Sequence, residues 1–261
     1  MLGLGTHIIS DSKKFAIEDL GIIRDNLVLN HSNYHAEPVT QVSIGAAALN
    51  IADDDNERIT AANSVDIGSN DVTMCAWVHP TTLVNNMGIV CNRANDVNKF
   101  GVQIQLLDTG AFKLSFDRGL AVTTTSGIAG KTVNQWYHVC GVLDRNDKQY
   151  LYVNGVLEAS TDISSHSAVD IDPTANAIKI GRSHNNIDFR GYICNVGYWD
   201  NRALTQSEIR SIWYKNYSQL DASEKTNLSS WWNLDEETNT SGGAGTGGVK
   251  DYHGSNHGTL S

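Results

Sequence analysis

The side chains best suited to binding or reaction fall in a few short stretches. Asp53-Asp-Asp-Asn56 and Asn185-Asn-Ile-Asp188 each put several hard oxygen donors within one turn, the donor type that Ca²⁺ takes. Neither has the spacing of an EF-hand loop, and a solvated acidic turn has the same composition. Calcium is the one cofactor the chain suggests, and no metal ligand is assigned. Asp53/Asp55 and Asp170/Asp172 are carboxylates two residues apart, the spacing that puts both on one face of a strand. The first pair lies inside a turn and the second runs into Pro173, so neither keeps a shared face for acid–base work. Asp235-Glu236-Glu237 alternates between faces if it is a strand. There is no Gly-x-Ser-x-Gly elbow, and no cysteine has an evident histidine partner. The nine histidines give no His-Glu-x-x-His; His31/His35 and His253/His257 are four apart, but among Gly and Asn, where that spacing loses its one-face meaning. Trp231 and Trp232 are adjacent, so on a strand one ring must face away from the other, which predicts an outward contact patch. The expected ligand-binding residues are therefore Trp231, Trp232, Asn185, Asn186 and Asp188, with no catalytic residue.

These groups need a scaffold, and from Gly45 onward the chain reads as strands. The apolar runs are Ala46–Ile51, Val72–Val78, Met87–Cys91, Phe100–Leu106, Phe112–Phe116, Tyr137–Leu143, Gln149–Val153, Ala177–Ile180, Tyr192–Trp199 and Leu228–Leu234. Many alternate with period two, as in Phe112-Lys-Leu-Ser-Phe116, which sends one set of side chains to a core and the other to an open face. Asp108-Thr-Gly110 and Asp144-Arg-Asn-Asp-Lys148 read as hairpin connections, and Asn154-Gly155 is the residue pair a type I′ turn requires. One helix is expected after Thr205-Gln-Ser-Glu208, a capping box, with Ile209, Ile212, Trp213 and Asn216 at helical spacing behind it. Residues 1–44 lack periodicity and read as an extension or arm that must dock on something to be ordered. Ser241–Gly248 is a flexible loop by composition.

The chain has 261 residues, within the size of one large β-sandwich domain. Its 19 Lys+Arg against 29 Asp+Glu give a formal net charge of −10, and the longest basic run is Lys13-Lys14. Nucleic acid and acidic membrane surfaces are excluded as partners, since both demand a basic face. No stretch approaches the roughly 20 apolar residues of a spanning helix. The opening Met1–Ile9 lacks a basic region, so it is a poor secretory signal. The four cysteines are scattered without a Cys-x-x-Cys and read as reduced thiols of a protein made in a cytoplasm.

Trp136-Tyr-His-Val-Cys-Gly-Val142 followed by Gln149-Tyr-Leu-Tyr-Val-Asn-Gly155 resembles the laminin-G-like, concanavalin A-like lectin/glucanase superfamily. Val72-Thr-Met-Cys-Ala-Trp-Val78, Ile178-Lys-Ile-Gly-Arg182, Phe189-Arg-Gly-Tyr-Ile193 and Leu204-Thr-Gln-Ser-Glu-Ile209 extend the likeness in the family's order, over about residues 45 to 215. The resemblance implies an all-β, two-layer antiparallel sandwich, a jelly roll with one short helix, over 45–261. It also implies that Trp77, Trp136 and Trp199 fill the sandwich. Residues 219–261, with Trp232-Asn-Leu-Asp-Glu236 and Gly254-Ser-Asn-His-Gly-Thr-Leu260, are similar to the family's opening strand, displaced here to the end. That segment is expected either to dock on its own sandwich or to complete a neighbour's by strand addition. Members that hydrolyse polysaccharides carry three carboxylates at i, i+2 and i+4; this chain has no such triplet and is not expected to be an enzyme.

The layout also resembles structural proteins of tailed bacteriophages. On that likeness the first expectation is a non-enzymatic virion protein, a decoration or cement protein bound to the major capsid protein. Assembly in the host cytoplasm follows, as a homo-oligomer with a trimer natural. The alternative is a carbohydrate-binding adhesin recognising a host surface glycan. Fold alone does not choose between them.

Overall fold

The computed structural model describes residues 49–51, 58–64, 67–93, 100–119, 121–171, 177–235 and 248–260. In chain order the strands are β1 (Leu49–Ile51), β2 (Ile59–Ser64), β3 (Val72–Pro80), β4 (Met87–Arg93), β5 (Phe100–Leu106), β6 (Phe112–Arg118), β7 (Val122–Ser126), β8 (Tyr137–Leu143), β9 (Lys148–Val153), β10 (Val156–Asp162), β11 (Ala177–Ile180) and β12 (Gly191–Asp200). Helix α1 (Gln206–Ile212) follows, then β13 (Leu228–Trp232), β14 (Gly248–Val249) and β15 (Gly258–Leu260). The expected arm 1–44, the Asp53-Asp-Asp-Asn56 turn, Asp172 and the His31/His35 pair lie outside the described residues.

The strands form two antiparallel sheets, the sandwich that the alternating pattern predicts. The seven-stranded sheet runs β1-β12-β3-β8-β9-β10, with β13 also paired to β12. The eight-stranded sheet runs β14-β15-β2-β11-β4-β5-β6-β7. Asn154 and Gly155 both adopt positive φ, 49° and 69°, as the type I′ turn between β9 and β10 demands. Asp108–Gly110 and Asp144–Lys148 close their hairpins through Leu107 N–H to Ala111 O and Asp144 N–H to Lys148 O, each 2.9 Å.

Between the layers Met74, Gly141 and Tyr198 stand in register across β3, β8 and β12. A Cβ on Gly141 would lie 2.7 Å from Leu114 Cδ1 of the facing sheet, so the layers meet there in close contact. Asn92 Nδ2 of β4 donates to Tyr198 Oη across the gap at 3.0 Å.

The other face of the seven-stranded sheet is covered as well. Cys75, Cys140, Val142, Tyr152 and Trp199 pack there under Ile209 and Ile212 of α1, with Leu220, Leu228 and Trp231 closing the cluster. The capping box forms as the sequence predicts: Thr205 Oγ1 accepts from Glu208 N–H, and Glu208 accepts from Thr205 N–H. The helix stops at Ile212, short of Asn216, which instead precedes a 3₁₀ turn at Tyr217–Gln219. Trp77 and Trp199 therefore do not fill the space between the sheets. Their indoles lie beneath the helix and the segment after it, donating to Trp213 O and Glu224 O at 2.8 Å each. Trp136 is only half-buried.

The chain's last segment supplies strands to both layers of its own sandwich. β13 pairs with β12 and β15 with β2, both antiparallel. All four cysteines are free and buried, and burial raises the Cys75 thiol to about 12, so it stays protonated and acts as a small hydrophobe. Among the described residues no helix is long and apolar enough to cross a membrane.

Candidate functional site

The structure places the expected ligand-binding residues in separate surroundings. Trp231 is 1% exposed and Trp232 0%, which corrects the expectation of an outward ring. Alternation does send them to opposite faces, but neither face is open. Trp231 packs under the helix side with Nε1 donating to Asn233 Oδ1 at 2.8 Å, and Trp232 is covered by the final loop, donating to Asn256 O at 2.9 Å. The folded-back C-terminal segment seals what would have been a contact patch. Asn185 and Asn186 are exposed at the tip of a tight turn, where Asn186 has φ 60° and its N–H donates to Ser183 O. Asparagine serves that turn because it tolerates the left-handed region. Asp188 is buried and bound through both carboxylate oxygens to Arg182, so it is not a loose oxygen donor.

What the structure does gather is a polar floor on the outer face of the eight-stranded sheet. Alternation along Phe100-Gly-Val-Gln-Ile-Gln-Leu106 and Phe112-Lys-Leu-Ser-Phe-Asp-Arg118 sends Val102, Ile104, Leu114 and Phe116 inward. Gln103, Gln105, Lys113, Ser115 and Asp117 go to the other side, with Gln103 opposite Ser115 and Gln105 opposite Lys113. Arg93 from β4 joins them, its Nη2 donating to Asp117 Oδ1 at 2.7 Å.

The turn at 181–188 folds onto this face. Its hairpin closes through Ser183 N–H to Ile187 O at 3.0 Å, and Gly88 N–H donates to Ile187 O at 3.2 Å. A Cβ on Gly88 would lie 1.9 Å from Ser183 N and 2.1 Å from Arg182 C, so β4 admits the turn only because residue 88 is glycine. His184 is thereby set on Gln103: its Nδ1 lies 2.8 Å from Gln103 Nε2, and its N–H donates to Gln103 Oε1 at 3.3 Å. At the near end Gln105 Nε2 donates to Asn86 O at 3.2 Å, and Lys113 Nζ donates to Asn86 Oδ1. Gly88→Ala is expected to lift the turn off the sheet at a cost of about 2 kcal/mol. Thermal unfolding checks the cost, and faster amide exchange at Ser183 and Gly88 locates it.

The electrostatics are those of a desolvated polar network. Burial lowers the Arg93 pKa, with Asp117 opposing the shift. Lys113 is lowered by burial and then by Arg93, again opposed by Asp117, so the three charges share one field. Gln105 is 1% exposed and its Oε1 is buried without a hydrogen-bond partner, an unsatisfied acceptor inside the network. The Gln103 and Gln105 amides and the Lys113 ammonium are thus engaged within the network, and the Gln105 amide oxygen is left over. Among the described residues no group of three or more His, Cys, Asp or Glu gathers into a metal-ligating cluster.

Sequence reasoning missed Arg93, Gln103, Gln105, Lys113, Asp117 and His184 as a set. The period-two alternation was the available signal, but it describes an ordinary solvated sheet face equally well.

Two stacked antiparallel sheets with one short helix define a jelly-roll sandwich. The comparisons with known proteins agree. Residues 53–210 match the family model described as the concanavalin A-like lectin/glucanases superfamily, and the chain belongs to that superfamily. Among solved structures, a candidate carbohydrate-binding protein from Bacteroides ovatus ATCC 8483 has the same fold at a TM-score of 0.59 and 23% identity, over 78% of this chain and 56% of that one. A heptameric SAP-like pentraxin from Limulus polyphemus aligns at a TM-score of 0.48 and 16% identity, covering 64% of this chain and 79% of that one. Among curated proteins, the botulinum-like toxin eBoNT/J of an Enterococcus strain is 27% identical over 156 residues, 56% of this chain but only 12% of the toxin.

Proposed function

We propose that the chain is a non-catalytic glycan-binding domain that takes its ligand on the polar floor formed by β4, β5, β6 and the 181–188 turn. The observation that carries the reading is Gln105: a buried amide oxygen without a partner, next to Lys113 and Asn86. Superfamily membership and the Bacteroides relative's description support the same reading. It places the adhesin-type role ahead of capsid decoration, for which the site supplies no specific feature.

Binding without cleavage follows from how the carboxylates are held. Glycoside hydrolysis needs one carboxyl kept protonated as the acid and a second ionised across the scissile bond. Asp117 and Asp188, the acids described on this face and its turn, are each held in an ion pair with an arginine, so neither carboxyl is free to act on a bound sugar.

The test is retention of the full chain on a printed glycan array. The wild type is expected to be retained on a defined subset of glycans. Gln105→Leu and Lys113→Met, both near their parents in volume, are expected to lose that subset by at least tenfold with the melting temperature within a few degrees. Retention of no glycan, or of the same subset equally by both variants, would overturn the reading.

A further inference from the structure

The opposite sheet carries a second feature that the polar floor does not use. Near the Pro80 end of β3, three rings from three segments touch in sequence: Tyr192 of β12, His79 of β3 and Trp136 just before β8. The His79–Tyr192 centroids are 5.6 Å apart and the His79–Trp136 centroids 5.2 Å. Trp77 backs the row, edge-on to Trp136 at 6.4 Å and stacked on Trp213 at 6.3 Å. The outer rings are not sealed as Trp231 and Trp232 are: Tyr192 is 37% exposed, and His79 and Trp136 are half-exposed. Single exposed aromatics are ordinary, but a contiguous row at solvent is a contact surface.

The rim specifies the chemistry. Asn134, Gln135 and Thr81 surround the row and are exposed. Asn134 N–H donates to Pro80 O at 2.7 Å and Thr81 N–H to Arg190 O at 2.9 Å, so both are fixed beside His79. Gln135, whose Oε1 accepts from Tyr137 Oη, flanks Trp136. These side chains are uncharged hydroxyl and amide groups, on a protein whose net charge is −10. An uncharged sugar with equatorial hydroxyls finds both halves of its recognition. Its C–H face lies against the electron-rich face of a ring, and its hydroxyls meet amides at the edge. The rings are inclined to one another, His79 at 55° to Trp136 and 68° to Tyr192, so each presents its own face or edge.

We infer that Tyr192, His79 and Trp136 form a second, independent stacking site for a neutral glycan built of equatorial hexopyranose units, on the sheet opposite the polar floor. This goes beyond the first site and does not depend on it. Two sites on opposite sheets would let one domain bridge two chains of the same polysaccharide.

The experiment uses the full chain carrying Gln105→Leu and Lys113→Met, so that the floor is disabled, titrated with cellohexaose and with laminarihexaose while tryptophan emission is recorded. A saturable change is expected with at least one of the two. It should weaken at least tenfold in Tyr192→Ala and in Trp136→Ala, and survive in Tyr192→Phe, which keeps the ring. Trp136 is half-buried, so Tyr192 provides the variant least dependent on folding. No change with either sugar, or a change that persists in Tyr192→Ala, would overturn the inference. Neither outcome bears on the floor, whose own failure would appear in the array comparison of wild type with the floor variants.

Discussion

Asp117→Ala is expected to destabilise the domain by about 3 kcal/mol, the scale for removing one partner of a buried ion pair. Asp117 on β6 and Arg93 on β4 reach across β5, with side chains 2% and 6% exposed, 2.7 Å apart. Without the carboxylate, Arg93 keeps its charge in a site that already lowers its pKa through burial. Its Nε has no other hydrogen-bond partner to compensate. Arg93→Met in the same background should recover a large part of the loss, because the uncompensated charge goes with it. Urea unfolding of the two single variants and the double variant measures this coupling. A loss below about 1 kcal/mol for Asp117→Ala, the range of exposed pairs, would mean that the pair is solvated and the floor is not a desolvated network.

The second large effect is acid lability through His138. This side chain is buried on the helix-covered face of β8, its ring 5.6 Å from that of Trp77 and its Nδ1 without a partner. Burial depresses its pKa from 6.5 to about 3. The unfolded chain therefore takes up a proton on His138 near pH 6.5, while the folded chain refuses it until about pH 3. The contribution to stability is complete above pH 6.5 and is lost progressively as the pH falls to about 3, at about 1.4 kcal/mol per pH unit in that window. Urea unfolding at pH 7, 6, 5 and 4 should show that slope in the wild type. His138→Asn should lack this part of it while keeping the part due to carboxylates. Equal slopes in the two proteins would show that His138 is protonated in the folded state.

Much of the fold was legible because its signals are local. Period-two alternation locates β5, β8 and β11 with their bounds, and Asn154-Gly155, Asp108–Gly110 and the Thr205/Glu208 box each fix a connection or cap through chemistry confined to a few residues. Strands β2, Ile-Thr-Ala-Ala-Asn-Ser, and β7, Val-Thr-Thr-Thr-Ser, went unmarked because small and hydroxyl side chains carry little hydrophobic contrast. Tertiary coverage was the step that local pattern could not reach. Whether the outer face under Trp199 and Trp231 is wet depends on α1 and on β13, which arrive from far along the chain. For the same reason the paired tryptophans pointed to a contact surface that the C-terminal segment closes. The floor was hidden in the opposite sense: Gln103, Gln105 and Asp117 look like any solvated row, and only the Gly88-enabled turn sets His184 on Gln103.

The central claim is that a glycan sits on this floor, and hydrogen–deuterium exchange of the full chain with and without its best-retained array glycan tests it most directly. The account predicts added protection at residues 86–93, 101–117 and 182–188, with α1 and β13 unchanged. Exchange that stays the same across those three segments while the glycan is bound would contradict it.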